Sequence, residues 1–216
     1  MTDRSISDRA LLTLTQWLSP SFPLGAFAYS HGLELAVAEG AVRDAEGLET
    51  WLRAVLQRGG GRVDAWLLSL VLQGAEAAEI ADLAEAIAGS KERLAETLEQ
   101  GTAFVKTVAQ MGGEARPPRA LPVAVGEAAR RLDLPPRTVI SLYLHSFISN
   151  LVSAGVRFIP LGQAAGQRVL ARLHGEIEAL ADQALGATID SLTTGAFAGD
   201  LTAMRHEDMD VRIFKT

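Results

Sequence analysis

The stretch LGQAAGQRVLARLHGEIEALADQAL constrains the fold more than any other, because Leu170, Leu173, Ile177, Leu180 and Ala184 recur at alternating intervals of three and four. That spacing keeps the apolar side chains in one stripe along an α-helix, whereas a strand would distribute them over both faces. One helix over the whole stretch is predicted, and its stripe needs other helical faces to cover it. Most of the chain supplies them. Asp44 stands as an N-cap before AEGLETWLRAVLQR, with acidic residues where the positive end of the helix dipole favours them. The triplet Gly59 to Gly61 is expected to end that helix. Further helices are predicted over 62–73, 77–88, 91–111, 121–132 and 136–153, rich in Ala, Leu, Glu and Arg.

VRFIP, from Val156 to Pro160, is the best strand candidate, yet nothing strand-like is present to pair with it, so an extended connector is expected. MGGEARPPRALP has the composition of a linker, but its flanks are helical and Ala-rich, which makes it a loop within one domain. With 216 residues, 48% of them hydrophobic, the chain can bury one sizeable core. The expected fold class is all-α, a single-domain helical bundle of about eight to ten helices over residues 1–216.

Composition excludes several functions. A net charge of −6, with no Lys/Arg run, argues against a nucleic-acid partner. There are no cysteines, hence no disulfides or thiolate metal sites, and a reducing cytoplasm is the expected location. The amino terminus places Asp and Arg ahead of a short apolar stretch, the wrong order for a signal peptide. The most apolar run, Ala65 to Leu72, falls far short of the roughly 20 residues that span a bilayer, so no membrane partner is expected. GSKE at Gly89 lacks the order and the preceding Gly of a phosphate-binding P-loop.

Catalytic and metal-ligating patterns are sparse. His31, His145, His174 and His206 are scattered, without an H-E-x-x-H pattern, so no metal site and no cofactor are expected. His31 and Glu34 are three residues apart and would make half a metal site on one helix face, or equally a surface or interface pair. In RTVISLYLHSFISNLVSAG, Ser141, His145 and Ser149 form a polar row on an otherwise apolar helix, beside a second row of Ser146, Asn150 and Ser153. Internal hydrogen bonds and buried water account for such rows, as does a solvated channel or a self-association surface. A hydrolase using Ser141 or Ser149 with His145 is a further reading, without an acid partner or oxyanion loop to complete it.

Three stretches together resemble one family. SPSFPLGAFAYSHGLE, SAGVRFIPLGQAAGQ and RHEDMDVRIFKT, in this order, are similar to the signatures of UreF-type urease accessory proteins. The departures are mild: Ala28 stands where Ser or Thr is frequent, and the tail reads Arg-Ile-Phe-Lys-Thr in place of Arg-Leu-Phe-Arg-Ser. The resemblance implies a non-catalytic, usually dimeric scaffold. Such a scaffold joins a second accessory protein, UreD (also called UreH), and the GTPase UreG in delivering nickel to apo-urease.

Under that resemblance, Pro20 and Pro23 stiffen a corner and Gly25 permits the turn out of it. One of Phe22 and Phe27 is expected in the core, the other being open to a contact role. Glu34 matches the family's Gly-Leu-Glu, Arg157 precedes the IPLGQ match, and His206 and Arg212 match the tail signature, which marks these four for partner contact. Ordinary surface charge explains Glu34 and Arg157 equally well, and a helix cap explains His206. Arg212, a fork of donors on a terminal tail, suits carboxylate or phosphate recognition. An alternative to the scaffold is a GTPase-activating protein in which Arg157 or Arg212 enters the partner's nucleotide site. The segment of about 1–25 and the tail of about 205–216 are the expected partner surfaces.

Overall fold

A computed structural model describes residues 6–191. Among them are ten α-helices and no strand, in one helical domain: α1 (Asp8–Trp17), α2 (Leu33–Ala38), α3 (Ala45–Arg58), α4 (Gly60–Leu72), α5 (Ala77–Ala86), α6 (Lys91–Gln110), α7 (Leu121–Ala129), α8 (Pro136–Phe158), α9 (Gln163–Arg172) and α10 (His174–Ala184).

The helix starts follow local chemistry. Side-chain oxygens of Ser7, Asp44 and Ser90 accept from the backbone N–H groups of Ala10, Gly47 and Arg93, satisfying donors that the first turn leaves unpaired. Proline occupies the first turn of α7 and of α8, where its missing N–H costs nothing.

Three boundaries differ from the sequence expectation. The glycine triplet does end α3, but only Gly59 lies between helices, and Gly60 and Gly61 already belong to α4. A Cβ on Gly61 would lie 2.9 Å from the Leu56 Cα, so the chain reverses too tightly there for a larger residue. The long amphipathic stretch is two helices broken at Leu173, beside Gly175 with its low helix propensity, although Leu170, Leu173, Ile177, Leu180 and Ala184 are all buried as one stripe. Val156 to Phe158 are not an extended connector but the last turn of α8; only Ile159 is extended (φ −105°, ψ 132°), as the residue before a proline prefers.

Two helices organise the core. From Ala65 to Val71, α4 is buried on all sides and packs on α3, α7 and α8, while α8 packs on α2, α3, α4, α9 and α10. Among the described residues α8 is the one helix long and apolar enough to cross a membrane, and half of that window is buried within the domain, where it serves as a core helix. Phe104 of α6 closes one end of the core, with Trp17 edge-on at 5.6 Å and Phe22 at 5.9 Å between ring centres.

Candidate functional site

The proline-bracketed corner leaves α1 and is sewn to the core before it can turn. Phe22 N–H donates to the Ser19 carbonyl at 2.9 Å, and the Ser146 hydroxyl of α8 donates to the Leu18 carbonyl at 2.6 Å. Pro20 and Pro23 are exposed, Phe22 is buried, and Phe27 is 68% exposed. Of the two phenylalanines, then, Phe22 is the core anchor. Gly25 adopts φ 72°, a left-handed conformation that starts a single 3-10 turn over Ala26–Ala28.

His31 then takes φ 53° and Gly32 φ 75° before α2 begins. A non-glycine residue in that region is strained and persists only where its surroundings hold it. This also separates His31 from Glu34. The two do not share a helix face, because His31 lies in the turn and Glu34 in the first turn of α2, buried, with its N–H on the Ser30 hydroxyl at 3.4 Å.

What holds His31 is an ionic junction beneath the corner. Its Nε2 lies 3.0 Å from Glu96 Oε1, and its ring meets Phe147 edge-on at 4.9 Å. Gln100 donates to the same Glu96 oxygen at 3.0 Å, while Arg93 Nη1 pairs with Oε2 at 3.0 Å. Arg93 Nη2 reaches Asp64 of α4 at 2.5 Å, and the Tyr143 hydroxyl of α8 donates to the other Asp64 oxygen at 2.7 Å. Beside them the Tyr29 hydroxyl donates to Glu99 at 2.6 Å. The junction thus ties the corner to α4, α6 and α8. Asp64 is 2% exposed and Glu96 4%, so these carboxylates survive burial only because each is paired.

Proton affinities follow from that arrangement. Burial pushes the Tyr143 phenol up, and the facing Asp64 carboxylate pushes it further. Burial works against the Glu96 carboxylate, but His31 and Arg93 outweigh it and hold the group at about 2, below the ordinary 4.5. The folded value lies below the unfolded one, so the associated stability is complete above the unfolded value and drains away as pH falls towards the folded one. Urea unfolding measured downwards from about pH 5 should lose roughly 3 kcal/mol through this carboxylate, and Glu96→Gln should flatten that part of the profile. Coincident profiles for the two proteins would refute this.

A cleft of about 40 Å3, enough for water, opens beside the junction; Leu24, Tyr29, His31, Gln100, Tyr143 and Asn150 contribute to its wall. No group of three or more potential metal-ligating side chains occurs among the described residues. The charges of the junction face each other, and together they fix the shape of the corner that carries Phe27.

Of the residues marked from sequence, Arg157 is exposed in the last turn of α8, the end of a helix dipole that favours a cation. Glu34 is buried on α2, which packs against α8. His206 and Arg212 lie outside the described residues. The polar rows of α8 divide: Ser146 bonds to the corner, Ser153 donates to the Ser149 carbonyl at 2.9 Å, and the buried Ser141 hydroxyl has no protein partner. Asp64, Arg93, Glu96, Gln100 and Tyr143 were not marked from sequence. Asp64 inside GRVDAWLLSLVL, a lone carboxylate in an apolar helix, was the available signal.

Comparison with known proteins agrees with this chain-wide picture. The UreF family model matches residues 42–174. A urease accessory protein UreF from Cereibacter sphaeroides (strain ATCC 17025) is 56% identical over 208 residues, covering 96% of this chain and 99% of the relative. Proteins of the same name from Jannaschia sp. and Paracoccus denitrificans are 50% and 48% identical, covering 95% and 97% of this chain and 94% and 97% of their own lengths. Identity at this level along nearly the whole chain places it, as an all-helical domain with a locked amino-terminal corner, in the UreF family of urease accessory proteins.

Proposed function

We propose that the protein is a non-catalytic, dimeric scaffold of urease maturation, acting in the cytoplasm to bridge a UreD/UreH-type protein and the GTPase UreG for nickel insertion into apo-urease. The observation that carries this reading is the match along nearly the whole chain to relatives named urease accessory protein UreF. The corner supports it physically. A large aromatic side chain, Phe27, is held out on a segment whose neighbours are locked, so little conformational entropy remains to be lost on docking. In this reading residues 1–216 act as one unit, with partner surfaces in the segment of about 1–25 and the tail of about 205–216. Arg157, His206 and Arg212 make contacts, and Glu34, being buried, acts by shaping the turn into α2.

A charged hydrogen bond desolvated in an interface is worth roughly 1.5–3 kcal/mol, so Arg212→Ala should weaken partner binding by about tenfold or more while melting stays nearly unchanged. Deletion of Met209 to Thr216 should act in the same direction and more strongly. Pull-down from a recombinant operon with UreD/UreH, UreG and apo-urease, alongside melting curves, is the test. Normal assembly and nickel loading with the truncated chain would sink the tail's role. Single-turnover GTP hydrolysis by UreG, with and without this protein, distinguishes scaffolding from GTPase activation through Arg157 or Arg212: a scaffold leaves the rate unchanged.

The dimer is tested separately. Ser149 is half-buried on α8, and Ser149→Arg should abolish dimerisation in light scattering or prevent folding. A folded, fully dimeric variant would remove α8 from the interface.

A further inference from the structure

We propose that His145 and His174 form a two-imidazole site for a divalent transition-metal ion such as Ni2+ or Zn2+, with water completing the coordination shell. In sequence the two are 29 residues apart, with no ligand spacing between them. The fold brings them together: His145 lies mid-way along α8, His174 opens α10, and their ring centres are 5.5 Å apart at an interplanar angle of 46°.

That separation suits a shared ion. With metal–nitrogen bonds of about 2.0–2.1 Å, two imidazoles on one ion hold their ring centres roughly 4.5–6 Å apart, a range that includes the observed separation. His174 is exposed, whereas His145 is half-buried in the α8–α10 seam. The seam is held from the side by Arg137, which donates to Asp182 at 2.6 Å and 3.2 Å.

The chemistry of the pair points the same way. One turn back on the same row, the Ser141 hydroxyl is buried without a protein partner. Imidazole donors select borderline cations such as Ni2+, Zn2+ and Cu2+ over Mg2+, which requires oxygen. The site is argued from the geometry of a single chain, and its test uses none of the urease partners.

The test is calorimetric titration of the untagged protein with NiSO4, ZnCl2 and MgCl2 separately. One saturable Ni2+ or Zn2+ event per chain is expected, with none for Mg2+. His174→Asn, at an exposed position, and His145→Asn should each weaken it by at least about tenfold, since even residues that only orient a ligand contribute about 10–100-fold. Melting curves verify that the variants fold, and His174→Asn keeps the test decisive if His145→Asn does not. The proposal is overturned by absence of a saturable Ni2+ or Zn2+ event, by equal Mg2+ binding, or by His174→Asn binding as tightly as the parent. Pull-down of urease partners is unaffected by these outcomes, so failure here leaves the scaffold reading standing.

Discussion

Arg93→Ala is expected to destabilise the domain by about 3–5 kcal/mol, the range observed when one member of a buried ion pair is removed and its partner is left charged. Arg93 bridges two carboxylates at once, Asp64 on α4 at 2.5 Å and Glu96 on its own helix at 3.0 Å, and its proton affinity is raised by both despite the burial that opposes it. Neither carboxylate has access to solvent that would compensate the loss. In a domain of this size that corresponds to a fall in Tm of roughly 6–20 °C. The corner should loosen with it, because Glu96 also holds the strained turn at His31. Arg93→Lys keeps the charge without the fork that serves two partners and should fall between. Thermal and urea melts decide the matter. A loss below about 1 kcal/mol would show that the junction is solvated in solution.

Gly101→Val should cost about 3 kcal/mol or more for a wholly different reason. A Cβ at Gly101 would stand 1.8 Å from the Arg119 carbonyl oxygen and 2.9 Å from the Leu121 nitrogen, both backbone atoms that cannot swing aside. The approach is this close because Thr97, one turn earlier on α6, accepts the Leu121 N–H at 3.2 Å and draws the entry of α7 onto the helix. Any side chain at Gly101 must push α7 off α6. Even Gly101→Ala should be markedly destabilised, although alanine is the better helix former. An alanine variant as stable as the parent would show that the two segments are not in contact.

Much of this architecture was legible in the residues. Asp44 capped the helix it preceded, the stripe through Leu170, Leu173 and Ile177 was buried, and an all-helical bundle formed. Helical period, capping and proline restriction are properties of near neighbours, and they survive whatever the rest of the chain does. The family was legible too, since its signatures are short contiguous strings. The break at Leu173 and the extension of α8 to Phe158 were not: propensities along both segments permit helix, and packing chose where each one stops.

The pairing of charges required the tertiary structure altogether. His31 and Glu96 are 65 residues apart, and Tyr143 and Asp64 79, so no local pattern relates them. The sequence determined that these residues lie on or beside helices and that a stiff corner precedes α2. Only the packing of α4, α6 and α8 around one point decided that His31, Arg93, Asp64 and Tyr143 meet, and only the packing of α8 against α10 decided that His145 meets His174. Helix formation is settled by contacts three and four residues along the chain, whereas burial of a charge is tolerated only where a distant face brings its counter-charge.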